Sequence, residues 1–359
     1  MKHLIYVVAV QFIVSFNVQA NDWDAELLVE GLNVPWGLSY VGENQVLVSE
    51  KNGMVGLLSL NDNSYSSLGS HPNVRVSGQG GLLDIAQSPF NHQQIYFTYA
   101  KQVGKAIETT LSTATFNQGQ LSDWQDLLST HSGSDGGRHF GSRITFDNQS
   151  LYFSVGDRGE RSNGQDLTTH AGSVLRVTPK GQAVTDNPFA ANSTAKPEIW
   201  SYGHRNPQGL FFDNTTNQLW SIEHGPRGGD EINLIEKGAN YGWPITSHGK
   251  EYWGPIKVGE AQEKEGVNSP KKVYVPSIAP GSLILYRGEK HRQLSGKLLA
   301  GALKLTHINV LTLQGSEVIS EQRILKHLGE RIRDIEALPN GEIIFSTDSG
   351  KIYRLTMTE

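Results

Sequence analysis

Cysteine is absent from the 359 residues, and methionine occurs only three times. Without a thiolate there can be no disulfide, no cysteine-ligated zinc, no iron–sulfur cluster and no thiol nucleophile. Charge is sparse as well: 31 Lys and Arg face 36 Asp and Glu, a formal net charge of -5. That balance excludes a charged disordered tail and gives no basis for binding along a nucleic-acid backbone. Several chemical signatures are also missing. The chain has no HExxH, no P-loop, no GxSxG elbow, no GxGxxG after a first strand and no EF-hand loop. Zinc hydrolysis, phosphate cradling and ordinary serine-hydrolase chemistry lose ground accordingly.

What is present begins with an address. Met1-Lys2-His3 precedes an apolar run from Leu4 to Phe16, and Val18-Gln19-Ala20 closes it with a small residue. A basic start, a short apolar stretch and a small closing residue make a secretory signal peptide. Cleavage is expected after Ala20, leaving residues 21–359 as one exported domain, periplasmic in a Gram-negative source. The apolar run is shorter than the roughly 20 residues a spanning helix needs, so no membrane insertion is expected after cleavage.

The rest, rich in glycine (39 residues), has no long stripe of helical period. Instead one phrase recurs: an apolar strand, a turn with Asn or Gly, then a second apolar strand ending in a polar residue. It runs from Trp36 to Glu50, Arg143 to Asp157, Gln208 to His224 and Arg333 to Asp348, with degenerate copies at Gly81 to Tyr99 and Pro280 to Leu303. Six copies leave about 55 residues each, enough for a four-stranded sheet with loops. This predicts an all-β fold, a six-bladed β-propeller of four-stranded antiparallel blades, ahead of a pair of sandwiches or an eight-stranded barrel. Ring closure buries both faces of every blade and leaves few open edges. The stretch Lys250 to Lys272 is charged and poor in strand formers, and is expected to be a long inserted loop.

Polar residues collect where the phrases begin and end. Arg138-His139 precedes one copy and Asp157-Arg158 follows it; His204-Arg205-Asn206 precedes the next; Glu223-His224-Gly225-Pro226 and Gly229-Asp230-Glu231 follow that; Arg331 and Arg333 precede the last. Equivalent strand ends of a propeller meet at one mouth of its channel, so these groups could converge on one pocket. Arg205, Lys304, Arg331 and Arg333 together favour a small polyanion, because guanidinium groups pair bidentately with carboxylates. The Gly225–Glu231 loop, with carbonyls beside an acidic residue, suits an oxygen-only calcium site. Singly, each has a plainer reading: Asp157 as a turn residue, His139 as a solvated loop residue, Arg331 and Arg333 as an ion-paired strand face.

The ordered succession GQGGLLDIA, RHFGSRITF, SVGDRG, GHRNPQGL, EHGPRGGDEIN, NYGWP, IAPGS, GALK and ERIRDI resembles the soluble PQQ-dependent sugar dehydrogenases, from Trp36 to about Leu355. The aldose branch matches better than the glucose branch, since His224 replaces an amide there. The resemblance implies a six-bladed propeller with the quinone cofactor PQQ over the channel mouth, oxidising aldoses to lactones and passing electrons to an external acceptor. It implies His139 as general base, Asp157 as the carboxylate that orients it, and Arg205 as the group that stabilises charge on the quinone oxygen. Gln79, Asn206, His224, Lys304, Arg331 and Arg333 fall on cofactor contacts. The carbonyls of Gly225 and Pro226 fall on an active-site Ca2+, with Asp230 nearby, and Glu231 and Tyr241 on a second, structural Ca2+. The aromatic residues that contact sugar in the glucose branch do not align; Tyr252 and Trp253 are candidates in their place. Two other functions remain: a calcium-dependent propeller lactonase, which needs several acidic side chains on a central ion, and a non-catalytic propeller that binds sugar or a partner.

Overall fold

The computed structural model describes residues 23–358, so the expected signal peptide and its cleavage after Ala20 lie outside the described residues. Six four-stranded antiparallel sheets form the ring of a six-bladed β-propeller. Each recurrent phrase, including the two degenerate copies, forms the two inner strands of one blade. The inner pairs are Pro35–Gly42 with Gln45–Glu50, Leu82–Gln87 with Gln94–Val103, and Ile144–Phe146 with Leu151–Val155. They continue as Pro207–Asp213 with Gln218–Glu223, Pro280–Tyr286 with Lys297–Ala302, and Ile332–Ala337 with Ile343–Thr347. We number the blades one to six in that order.

The core is a set of layers between blades, set by the period-2 alternation of strand side chains. In blade one, Leu47 joins Leu82, Ile85 and Phe97 of blade two. Its neighbours Val46 and Val48 point the other way, onto Leu338 and Ile344 of blade six. The same division recurs in blade four, where Trp220 packs with Leu283 and Leu298 of blade five, while Leu219 packs with Tyr152 and Val174 of blade three. A fully buried aliphatic or aromatic side chain contributes about 1.5–3 kcal/mol relative to exposure. No blade can gain this alone, so the ring is the stable unit.

Closure uses the two ends of the described chain. Trp23–Val29 pairs with Lys351–Met357, from Trp23 opposite Met357 to Val29 opposite Ile352, and supplies the outer strand of blade six. The expected insertion is present and longer than the sequence suggests. It runs from residue 236 to 271, between the third strand of blade four, Asp230–Ile235, and its short outer strand, Lys272–Tyr274. Lys272 therefore opens a strand rather than closing the loop. No helix among the described residues is long and apolar enough to cross a membrane.

Candidate active site

His139 sits in a loop before blade three with a positive φ of 55°. Residues other than glycine adopt that conformation at a cost, and such sites tend to be functional. Gln79 holds it there, its Oε1 accepting the His139 amide N–H at 2.8 Å. Arg158 fixes the same loop from below. Its Nη2 donates to the carbonyls of Ile107 (2.9 Å) and Gly136 (2.7 Å), its Nη1 donates to the Arg138 carbonyl, and its guanidinium lies 3.4 Å over the Phe140 ring.

His139 Nδ1 is 2.6 Å from Asp157 Oδ1. Asp157 follows the second inner strand of blade three and is buried with every side-chain oxygen occupied. Oδ1 also accepts from the Gly159 amide at 2.7 Å, and Oδ2 accepts from Trp243 Nε1 at 2.8 Å. A carboxylate in this setting takes the Nδ1 proton as a hydrogen bond, which leaves Nε2 as the free lone pair of a neutral imidazole. Burial lowers the His139 pKa from its ordinary value. The Asp157 hydrogen bond opposes that shift, and the positive Arg205 adds to it.

Beside this pair lies a cavity of about 430 Å3 at the channel mouth, lined by Gln79, Asn206, His224, Arg331 and Arg333 among others. One wall is cationic. Arg331 Nε and Arg333 Nε both donate to Asp348 at 2.8 Å, and Lys51, also in the lining, donates to the Gly78 carbonyl at 2.6 Å. Asp348 thus clamps two guanidinium groups, and although its burial opposes ionisation, Arg333 and Arg331 hold its carboxyl below the usual range. Burial lowers the Lys51 pKa, and Arg333 lowers it further. Trp36, Leu83 and Phe140 supply apolar surface to the same cavity. The Asn206 side chain accepts the Gly141 amide at 3.1 Å through Oδ1. His224 donates from Nε2 to the Pro280 carbonyl at 2.6 Å; burial drives its pKa down to about 3, so it is neutral.

A second cavity of about 20 Å3, room for one water-sized occupant, shares His224 with the first. Around it the structure brings together Gly225, Pro226, Glu231 and Tyr241, with Arg205 and Glu223. Glu223 and Glu231 are directly opposed across two strands of blade four. Like charges in that position repel. Glu223 is satisfied by His204 Nδ1 (2.9 Å), Asn233 Nδ2 (3.0 Å) and the Arg205 amide (2.7 Å), whereas Glu231 has only the shared Asn233 side chain to draw on. Burial, with the Glu223 charge behind it, pushes the Glu231 pKa well up. Gly225 has no room for a side chain, since a Cβ would stand 2.0 Å from the Gly229 carbonyl oxygen.

Four expected residues sit differently from the simplest reading. The Tyr241 hydroxyl is spent on Leu234 O (2.6 Å) and the Glu236 amide (2.8 Å), so it is not a free donor toward the cavity that Tyr241 borders. Arg205 does not line the large cavity; its Nη1 donates to the carbonyls of Gly225 (2.8 Å) and His224 (3.2 Å). Lys304 is exposed, one residue beyond Leu303 of the cavity lining. Asp230 acts on the loop itself, accepting the amides of Gly225 (3.0 Å) and Ala279 (2.8 Å).

A match to the glucose/sorbosone dehydrogenase family spans residues 32–354. The chain belongs to that family. It is 34% identical to the aldose sugar dehydrogenase YliI of Escherichia coli K12, over 93% of this chain and 92% of that protein. It is 26% identical to quinoprotein glucose dehydrogenase B of Acinetobacter calcoaceticus, over 91% of this chain and 85% of that one. The crystal structure of the apo soluble aldose sugar dehydrogenase of E. coli superposes with a TM-score of 0.89 and 32% identity, over 94% of this chain and all of that chain.

The cavities and the His139–Asp157 pair also draw on residues that sequence reasoning did not pick out. Lys51, in the large cavity's lining, follows directly on the second inner strand of blade one, the strand-end position that flagged other residues. Trp243 lies in the quoted NYGWP segment, yet its contact with Asp157 bridges 86 residues. Tyr252 and Trp253 are 66% and 75% exposed on the insertion, next to Glu251, which pairs with both Nη groups of Arg161 at 2.7 and 2.8 Å.

Proposed function

We propose that the protein is a PQQ- and calcium-dependent aldose dehydrogenase, exported to the periplasm, that oxidises sugars at C1 to lactones. The observation that carries this reading is the juxtaposition of a neutral, carboxylate-oriented His139 with a cavity walled by Lys51, Arg331 and Arg333. When bound, PQQ supplies the hydride acceptor, a planar quinone bearing carboxylates. The donors on offer fit such a group: the Nη2 atoms of Arg331 and Arg333 make no hydrogen bond among the described residues. Trp36, Leu83 and Phe140 offer apolar contact to a flat ring, while Gln79, Asn206 and His224 border it. Lys304, exposed beside Leu303, has the reach of a long side chain toward the same wall.

His139 Nε2 takes the proton from the anomeric hydroxyl as the C1 hydrogen leaves with its electron pair, and the C1–O bond becomes the lactone carbonyl. The imidazolium that results is stabilised by Asp157, whose side chain is held by three donors. Arg205 brings positive charge next to His224 and Gly225, where it can offset charge growing on a bound quinone oxygen. An external electron acceptor completes the turnover.

Calcium, when bound, would supply Lewis-acid polarisation to a quinone beside it. The carbonyls of Gly225 and Pro226 and the Glu231 carboxylate, which border one cavity with Tyr241, are oxygen donors of the kind calcium takes. The opposed Glu223 and Glu231 carboxylates supply the negative charge that a cation would offset, and this supports a structural ion in the small cavity.

The test uses the purified mature protein titrated with PQQ and Ca2+, followed by an aldose panel with an electron-accepting dye. Dye reduction that needs both PQQ and Ca2+ is expected. Absence of PQQ binding overturns the reading and brings forward the lactonase or the non-catalytic binding propeller.

A further inference from the structure

One buried side chain touches all the other blades of the ring. Arg143, 6% exposed, precedes the first strand of blade three and reaches every other blade. Its Nη1 contacts Asp84 Oδ1 of blade two at 2.7 Å and Asp334 Oδ1 of blade six at 2.9 Å. Its Nε donates to the Gln208 carbonyl of blade four at 3.1 Å, and its Nη2 donates to the Gly281 carbonyl of blade five at 3.0 Å. Its guanidinium lies 4.5 Å from the centre of the Trp36 ring of blade one. Each carboxylate spends its other oxygen on a neighbouring blade: Asp84 Oδ2 accepts the Ile144 amide at 2.7 Å, and Asp334 Oδ2 accepts the Leu38 amide at 2.8 Å. Gly37 makes room for this, since a Cβ there would stand 2.8 Å from Asp84 Oδ1.

Two of the groups that Arg143 touches line the large cavity, Trp36 and Gln208. Both pass its position on. Gln208 Oε1 accepts from Arg333 Nη1 at 3.3 Å, and Gln208 Nε2 donates to the Gly141 carbonyl at 3.0 Å. The Trp36 ring also takes the Arg333 guanidinium, at 5.8 Å. We infer that Arg143 is a positioning residue for cofactor binding: through Gln208 and Trp36 it sets Arg333, the less exposed of the two guanidinium groups on the cationic wall. The inference rests on the quinone-binding reading of that cavity. None of its direct contacts is His139, Asp157 or Trp243. A lysine cannot replace it, because a single ammonium cannot serve four acceptors set around a plane.

The test compares wild type, Arg143→Lys and Arg287→Lys. Arg287 makes an interblade ion pair with Asp213, at 3.0 and 2.5 Å, at the opposite end of the blade-four inner strand. Each protein is titrated with PQQ in excess Ca2+ by absorbance, melted without PQQ, and assayed at saturating PQQ. The expected result for Arg143→Lys is a Kd for PQQ raised tenfold or more with kcat within twofold of wild type. Arg287→Lys is expected to melt lower with its PQQ Kd unchanged. Should Arg143→Lys fail to fold, Asp334→Asn, which keeps an acceptor for the Leu38 amide, is read the same way. A folded Arg143 or Asp334 variant with wild-type PQQ affinity overturns the inference alone. Wild type failing to bind PQQ overturns the functional reading and the inference with it.

Discussion

Two cavities share His224, and they are lined with opposite charge. The larger has Lys51, Arg331 and Arg333 in its wall, with Asp348 held between the two guanidinium groups. The smaller has Glu223 and Glu231 opposed across the sheet, with carbonyl-bearing loop beside them. In the first, the Nη2 atoms of Arg331 and Arg333 have no partner among the described residues, and in the second two carboxyl groups face each other. An organic anion and a hard cation are the complementary occupants. A neutral His224 at the junction lets both charge patterns persist without a fixed charge of its own between them. Arg205 stands on the acidic side and spends Nη1 on the carbonyls of His224 and Gly225, so a cation arriving there competes with it.

The largest effect expected tests the chemistry that the larger cavity serves. His139→Gln keeps the cationic wall intact and removes the proposed proton acceptor. Turnover should fall by about 10²–10⁴-fold, with PQQ affinity by titration unchanged. Retained full activity would remove His139 as the base.

Next in size is a charge deletion on each side. Arg333→Met removes one charge-assisted partner of a bound carboxylate and strands part of Asp348. PQQ affinity should drop by about 10- to 100-fold, the worth of one such bond at roughly 1.5–3 kcal/mol. Arg331→Met should cost less, because that side chain is 51% exposed against 12% for Arg333. Glu231→Gln should leave PQQ affinity in excess Ca2+ within about twofold, yet abolish the calcium-induced rise in Tm. A ligand at a hundred times its Kd adds about 2.7 kcal/mol, a Tm shift of about 5 °C. If Glu231→Gln weakened PQQ as much as Arg333→Met does, the two cavities would be one functional unit and the comparison would break.

A smaller effect separates holding the base from binding the cofactor. Trp243→Phe deletes the donor to Asp157 Oδ2 and little else. Losing one buried hydrogen bond is worth about 0.5–1.5 kcal/mol, so kcat should fall by about three- to tenfold with PQQ affinity unchanged.

The legibility of these parts from sequence followed their range. The inner hairpins were legible in all six blades because each is local, apolar and turned by Asn, Gly or Pro. The closing strand was not: Trp23–Val29 finds its partner more than 320 residues away and alternates poorly, with Glu26 and Leu27 both exposed. The His139–Asp157 pair was legible through a resemblance, and the fold brings it within hydrogen-bond distance. Trp243 and Arg143 were not assigned roles, because a tryptophan in a loop and an arginine before a strand look ordinary. Only the ring geometry sets one beside Asp157 and the other against all the other blades. The two calcium assignments were separate in sequence, whereas all four of their residues border one small cavity.

The smallest effect is a shift in a pH profile. Burial lowers the His139 pKa, Arg205 adds to this, and Asp157 opposes it. A base must be neutral to act, so activity is lost as pH falls through the pKa of the free imidazole. The acid limb of kcat/KM should therefore lie below 6.5, the ordinary histidine value, rather than above it. Asp157→Asn removes the one influence that raises the pKa. It should move the limb still lower while lowering the plateau, because the imidazolium formed in the reaction loses its counter-charge. The pairing of a lower limb with a lower plateau matters here, since a merely misfolded site would lose the plateau without displacing the limb. A limb above 6.5 in the wild type would mean that Asp157 outweighs burial, and Asp157→Asn would then move it down toward the ordinary value. An unmoved limb in the variant would show that the titrating group is not His139.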